Sequence, residues 1–576
     1  MCSGGDFHKL ALILLLITTD LLIKCGPYRG VNVWRRWKIK CKKEIRMLNK
    51  RSVKSFCTLT AMFTLFFVLV FVYAHAAPDK QTTPKPAQKP AQSAATKPVA
   101  KVQPQYGGNL RIIRMSGPGS PFGVPWETLG MDAIAATPAL EKLMRGHRDG
   151  SFEPWLVTAY KLAPDLKSIT LALRKDVKFH DGTPFNAEAV KFNLEAFKTA
   201  KKNGTQFWES IEALDDLTVR VNFVKYRNTM MDDLMSIPIV SSESIKAKGI
   251  EWARWNPVGT GPFQFVSFDR DVNAKYKKFD AYWQKGKPYL DTLEFLYVKD
   301  QMTQLAMMEA GEADLQSVVL GKVTADMQKM GFEIINNPTA AVSLIPDSMN
   351  PDSPLADKRV REAIACAVDR EAYVKALGYG FLQPANQLPR KGDLAYVPDL
   401  NAPRYDPQKA KRLLAEAGYP KGFKIKIVPL GGTEKDFLVV LQGYLAKIGI
   451  TADLEFVDMG KYTDYRRKGW KNGFLMQPFT ILPNFTQTME LYSPPDMVSL
   501  KRTAGLDKLA EDAAITPHPD VAKMRNIVKA MNNDVMVIPL YLSGAAYANR
   551  KGVYDTGFLS LAGAWDWTPE KAWIKK

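Results

Sequence analysis

From residue 106 onward, apolar runs of strand period alternate with stretches of helical period. Ser168–Arg174 sets Ile169, Leu171 and Leu173 against polar neighbours, the pattern of a half-buried strand. After the turn His180-Asp181-Gly182-Thr183, Asn186 is placed to cap a helix whose face carries Val190, Asn193, Leu194 and Phe197. Adjacent side chains such as His180 and Asp181 face apart, so this pair predicts a turn and not a catalytic dyad. Tyr106–Ile113 reads as a first strand after a glycine hinge, and Asp132–Leu143 as a helix. Asp357 and Asp369 are candidate caps of two further helices. Asp406, Pro407 and Gly418 delimit a third, with Ala410, Leu413, Leu414 and Ala417 on its apolar face. Phe423–Val428 and Thr451–Phe456 flank the helical Leu438–Lys447, which predicts a βαβ unit and a parallel strand pair. Thr339–Ile345 and Val535–Leu542 are predicted strands. The pattern is that of an α/β protein, and 576 residues exceed what one core holds.

One stretch, Asn256–Leu315, organises the rest. It opens with Gly259-Thr260-Gly261-Pro262-Phe263, which delivers the backbone into the strand-like Phe263–Phe268. An aromatic cluster follows, Tyr276, Phe279, Tyr282 and Trp283, then a predicted strand Leu293–Val298 and helix Met302–Ala310 closed by Gly311. No phosphate loop is present, because the Gly-Lys-Ser/Thr frame is missing and Pro262 blocks helix propagation. Three more blocks occur in order: Lys178–Glu188, Arg359–Ile364, and Tyr405-Asp406-Pro407 with Ala410–Gly418. Together the four motifs make residues 106–576 resemble extracellular solute-binding proteins of the peptide/nickel/opine family (family 5), which serve ABC importers.

That resemblance implies a two-lobed periplasmic binding protein fold, with an extra subdomain in the first lobe and a ligand cleft between the lobes. Residues 106–345 then form lobe I with an insert at about 141–255. Residues 346–537 form lobe II, and 538–576 return to lobe I. The crossover strands are expected near Thr339–Ile345 and Val535–Leu542, with hinge closure around a peptide-like or other small organic solute. The implied partners are ABC permease subunits with their ATPase, and the protein is expected to be a monomer. A ligand receptor for a membrane sensor is the alternative function. A secreted enzyme on the same scaffold is another, but no Gly-x-Ser-x-Gly, Cys-x-x-Cys or His-Glu-x-x-His motif occurs.

Charge locates the non-core parts. The formal charge is +20, of which residues 1–77 carry +10 and residues 78–105 carry +4, so no basic face is left in the body to bind nucleic acid. Phe56–Tyr73 is uncharged, follows Arg46, Lys50, Arg51 and Lys54, and ends at Ala74-His75-Ala76. This predicts a signal peptide over 47–76 cleaved near Ala76; uncleaved, the segment is long enough to anchor. Residues 1–46 are expected to be an upstream extension before a start at Met47. Residues 77–105, rich in Pro, Ala and Lys, read as a linker. Four of the five cysteines precede residue 78. Cys366 lies on a helical stripe with Val360, Ala363, Ile364 and Ala367, where a packed small side chain is expected.

The candidate binding residues come from two loops. Phe122 and Trp126 either border the cleft, as the resemblance implies, or form a satellite hydrophobic cluster. In the family's peptide-binding members, the segment after the lobe II βαβ unit carries an Asp-Pro-Asp kind of pattern that receives the peptide's amine. Here Gly473–Thr488 contains no acid. Gln477, Phe479, Thr480 and Asn484 are candidates to line the pocket, or else belong to a packing loop. A buried ammonium needs a charged partner. The segment therefore predicts weak binding of unblocked peptides and a preference for neutral or acidic ligands with apolar bulk, or a ligand charge met from the other lobe. His147 and His518 lack ligand spacing, and neither a metal nor a cofactor is implied.

Overall fold

The computed structural model describes residues 103–558, Trp567 and 569–576. The predicted upstream extension, leader and Ala74–Ala76 site, all but the end of the linker, and Trp565 lie outside the described residues.

An eleven-stranded mixed sheet runs through the molecule. One flank holds, in order, Phe263–Asp269, Asn273–Lys278, Thr292–Tyr297, Asn109–Arg114 and Leu315–Val318. The two long strands Ile538–Asn549 and Glu333–Pro346 come next. The other flank is Gly473–Thr480, Lys424–Pro429 and Thr451–Leu454, and Gln383–Pro384 adds a short eleventh strand against Ile538–Asn549. Asn109–Arg114 pairs in parallel with Thr292–Tyr297, and its Leu110, Ile112 and Ile113 are fully buried, so both sheet faces are covered. In lobe II, Lys424–Pro429 pairs in parallel with Thr451–Leu454, joined by helix Lys435–Ala446. That is the predicted βαβ unit.

The inserted part of lobe I has its own four-stranded antiparallel sheet: Val157–Leu162, Ser168–Leu173, Thr218–Phe223 and Trp208–Asp215. Helix Ala187–Thr199 covers it, capped by the Asn186 side chain accepting from the Ala189 N–H. Ile169, Leu171, Val219, Val221, Val190 and Leu194 are fully buried in one apolar cluster. Each such side chain contributes about 1.5–3 kcal/mol.

Local signals placed six of the fourteen described α-helices. Asp357, Asp369 and Asp406 cap as predicted, and Cys366 is fully buried in helix Lys358–Ala367. Three elements differ. Asp132–Leu143 is not a helix; a 3-10 turn over Gly130–Ala136 stops before Pro138, which has no N–H to continue a helix. The crossover strand is longer than Thr339–Ile345. The return strand begins at Ile538, not Val535, whose φ of 47° puts it in the preceding turn, and runs on to Asn549. Strand Asn273–Lys278 has only Ala274 and Tyr276 as apolar residues, and pairing on both sides defines it.

Candidate functional site

Among the described residues, the two long strands are the only part of the sheet that spans both flanks. Leu315–Val318 pairs with residues 546–549 of the return strand, and Gly473–Thr480 pairs with residues 340–346 of the crossover strand. Between those zones Asn337 and Pro338 pair only with Ala545 and Gly544, and the register slips between Pro338 and Ala340. A Cβ on Gly544 would lie 2.2 Å from the Asn337 carbonyl oxygen, so only glycine lets the strands approach there. The sheet thus narrows to two strands with a bulge at the boundary between lobes, the geometry of a hinge.

The inserted subdomain is held to lobe I by residues of the stretch Asn256–Leu315. Glu141 is fully buried and accepts four hydrogen bonds: Trp155 Nε1 at 2.8 Å, Tyr282 OH at 2.7 Å, Trp283 Nε1 at 2.9 Å and Thr260 Oγ1 at 2.8 Å. Burial pushes its carboxyl up to about 7, against the pull of these donors. A Cβ on Gly259 or Gly261 would meet the carbonyl oxygens of Ala139 or Pro138 at 2.2 and 2.6 Å. The Gly-Thr-Gly turn and the aromatic cluster therefore clamp one buried acid at the point where the subdomain leaves lobe I.

The subdomain meets lobe II along the segment 225–233. The Asn228 N–H donates to the Ala514 carbonyl at 2.7 Å, and its Nδ2 donates to the Ala513 carbonyl at 2.7 Å. Asn484 Nδ2 donates to Asn228 Oδ1 at 2.9 Å, and both asparagines are 1% exposed. Tyr226 OH donates to the Pro517 carbonyl at 2.8 Å, and Gln487 Nε2 to Asp233 Oδ1 at 2.9 Å. Arg227 is ion-paired with Glu490 and Glu511. Beside these contacts lies a polar cavity of about 830 Å³, walled by Phe207, Thr229 and Asp233 of the subdomain and Arg467, Gln487 and Glu490 of lobe II. That volume is in the range of small-molecule sites, about 300–1,000 Å³. Burial pushes the Asp232 carboxyl up to about 7, opposed by its hydrogen bond with Asn484. Asp233 is pushed up to about 7 by burial, then by the charges of Asp232 and Glu490.

The six sequence-derived candidates fall in different surroundings. Phe122 is fully buried in the lobe I core, edge-on to Trp255, Phe265 and Phe268. It also lines a second, mainly apolar cavity of about 230 Å³ with Leu140, Trp155 and Phe197. Trp126 packs edge-on against Phe192 and Phe197. Gln477 is buried and accepts from Tyr462 OH at 3.1 Å. Phe479 packs within the lobe II core, its ring 4.3 Å from that of Tyr492, and the Thr480 N–H donates to the Tyr492 hydroxyl. Asn484 caps helix Phe485–Leu491 and bonds across to the subdomain. Sequence reasoning missed Asn228, Asp232 and Asp233. The two acids lie on the short helix Thr229–Met235, and its local pattern gives no sign of a partner such as Gln487, 254 residues on from Asp233.

Residues 151–496 match the profile described as bacterial extracellular solute-binding proteins, family 5 Middle. The chain is 31% identical over 337 residues to the glutathione-binding protein GsiB of Salmonella choleraesuis, a match covering 56% of this chain and 65% of that relative. Among solved structures, CtaP of Listeria monocytogenes superposes with a TM-score of 0.72 at 21% identity, over 82% of this chain and 100% of that one. DppA of Helicobacter pylori in complex with the peptide STSA gives 0.68 at 22%, over 82% and 99%. These superpositions extend the fold likeness beyond the profile match, across both lobes.

Proposed function

This chain belongs to the bacterial extracellular solute-binding proteins of family 5, and we propose that it is the substrate-binding component of an ABC importer. In this reading it captures a peptide-like or other small organic solute in the periplasm and delivers it to the membrane permease with its ATPase. It binds and releases without chemistry, works as a monomer and reaches its compartment through a leader cleaved near Ala76. The observation that carries the reading is the two-strand neck, which leaves two lobes free to close on the 830 Å³ polar cavity. GsiB is named for glutathione, and DppA was solved with the peptide STSA, so small polar organic solutes are the class supported by likeness.

The acid missing from Gly473–Thr488 bears on that class. Asp233 and Glu490 line the cavity, and Asp232 hydrogen-bonds with Asn484 from the other lobe. Of the two ligand chemistries left open by the sequence, this arrangement favours a solute whose ammonium is met by the inserted subdomain. A charge-assisted hydrogen bond is about twice as strong as a neutral one, so the partner matters. Native mass spectrometry of protein purified from its host should find a retained amine-bearing solute. Calorimetry with a mixed tripeptide library should find binding near micromolar, about −8 kcal/mol. N-acetylation of the peptides, or Asp233→Asn, should abolish it. Equal binding of blocked and unblocked peptides would return the preference to neutral and acidic ligands.

A further inference from the structure

We propose that the segment 225–233 is an ion-paired latch holding the two lobes shut, with Arg227 as its positioning residue; this rests on the solute-binding reading above. The guanidinium of Arg227 is forked between two lobe II helices. It meets Glu490 on Phe485–Leu491, with Nε 3.1 Å from Oε1, and Glu511 on Leu506–Ala514. Lys225 takes the other oxygen of Glu511 at 2.5 Å. A planar guanidinium can bind two carboxylates in fixed directions, which a lysine ammonium cannot. One side chain thereby sets the position of two helices, and Glu490 also lines the cavity. The latch and the wall of the site share a residue.

The seam is built to open. Its contacts are hydrogen bonds and ion pairs, with the Arg227 guanidinium 5.5 Å above the Phe207 ring. Opening exposes polar groups, which water satisfies at once, whereas a seam of apolar contacts would resist separation in proportion to its area. The Arg227 side chain is 11% exposed, but Glu490 and Glu511 are 35% and 40% exposed, so water and salt reach the acid side of the fork. Ions therefore weaken it. Buried Asn228 and Asn484 give it a register: only one alignment pairs their amides and places the Asn228 N–H on the Ala514 carbonyl.

Hydrogen exchange read by mass spectrometry on the full chain tests this without a ligand. Peptides covering 225–233 and 506–517 report the seam, and a peptide from Ala187–Thr199 reports the subdomain core. Arg227→Met should speed exchange in both seam peptides about tenfold and leave the core peptide unchanged. Arg227→Lys should restore part of the protection. In the native protein, raising NaCl to about 0.5 M, where the Debye length is ~4 Å, should speed seam exchange; in Arg227→Met the response should shrink to what the remaining Lys225–Glu511 pair supplies. The double variant Glu490→Gln with Glu511→Gln removes the fork from the other side and keeps the test available if Arg227→Met does not fold. Unchanged seam exchange in these variants, or the same salt response in native protein and Arg227→Met, would overturn the latch. A salt-sensitive seam in protein that retains no solute from its host would count against the importer reading alone. A retained solute with a salt-blind seam would count against the latch alone.

Discussion

Glu141 is an acid placed where water does not reach, with four donors arranged around its two oxygens. Its carboxyl is lifted from 4.5 to about 7 by burial. Between those values the folded state keeps a proton that the unfolded state has released, so stability falls as pH rises through that window and levels off above about 7. The contribution is on the order of 3 kcal/mol. Urea midpoints taken from pH 4.5 to 7.5 should decline in the native protein and decline less in Glu141→Gln; equal slopes would mean that Glu141 does not titrate in this window. Asp232 and Asp233, shifted in the same direction, add to this slope, and His180, whose imidazole burial pushes down to about 4, opposes it. At this scale, legibility follows distance along the chain. Asn186, Asp357 and Asp406 were readable as caps because each bonds an N–H two or three residues on. Asn228 was not readable, because the Asn484 amide that it meets is 256 residues away. The same holds for Asp233 and Gln487, which are 254 residues apart. Nothing in either local pattern announces the other.

Among the elements, the lobe II βαβ unit was legible because both strands and the helix carry their own period and sit within about 30 residues, the span of such a unit. Asn273–Lys278 was not, since its polar sequence is made a strand by the neighbours that flank it. The 3-10 turn at Gly130–Ala136 shows the reverse case: apolar spacing suggested a helix across Pro138, and the missing N–H decided otherwise. The narrow neck is a product of pairing and was visible only as two separate strands. Its tightness makes a prediction. Gly544→Ala would force a Cβ against the Asn337 carbonyl oxygen and the Thr339 nitrogen, at 2.2 and 2.6 Å, with backbone on both sides. A loss of about 2 kcal/mol or more is expected, read from urea unfolding. An unchanged midpoint would show that the neck accommodates a methyl group and is looser than its geometry indicates.

For the whole molecule, four ordered motifs were enough to indicate two lobes and an insert. They could not indicate which surfaces of those lobes touch. The described apolar clusters draw on residues from Leu110 to Ile574, so the body carries its own core. Deleting residues 1–105 should therefore leave a soluble, folded monomer with an unchanged urea midpoint; aggregation of the shortened chain would place part of the fold upstream. The same neck has a further consequence. The chain leaves for lobe II and comes back from it on neighbouring rungs of one ladder, with Ala340 opposite Ser543. Everything between those two residues is a single excursion that begins and ends at one place. Two backbone joins made across one rung would suffice to graft the second lobe of one relative onto the first lobe of another, a recombination that needs no third splice.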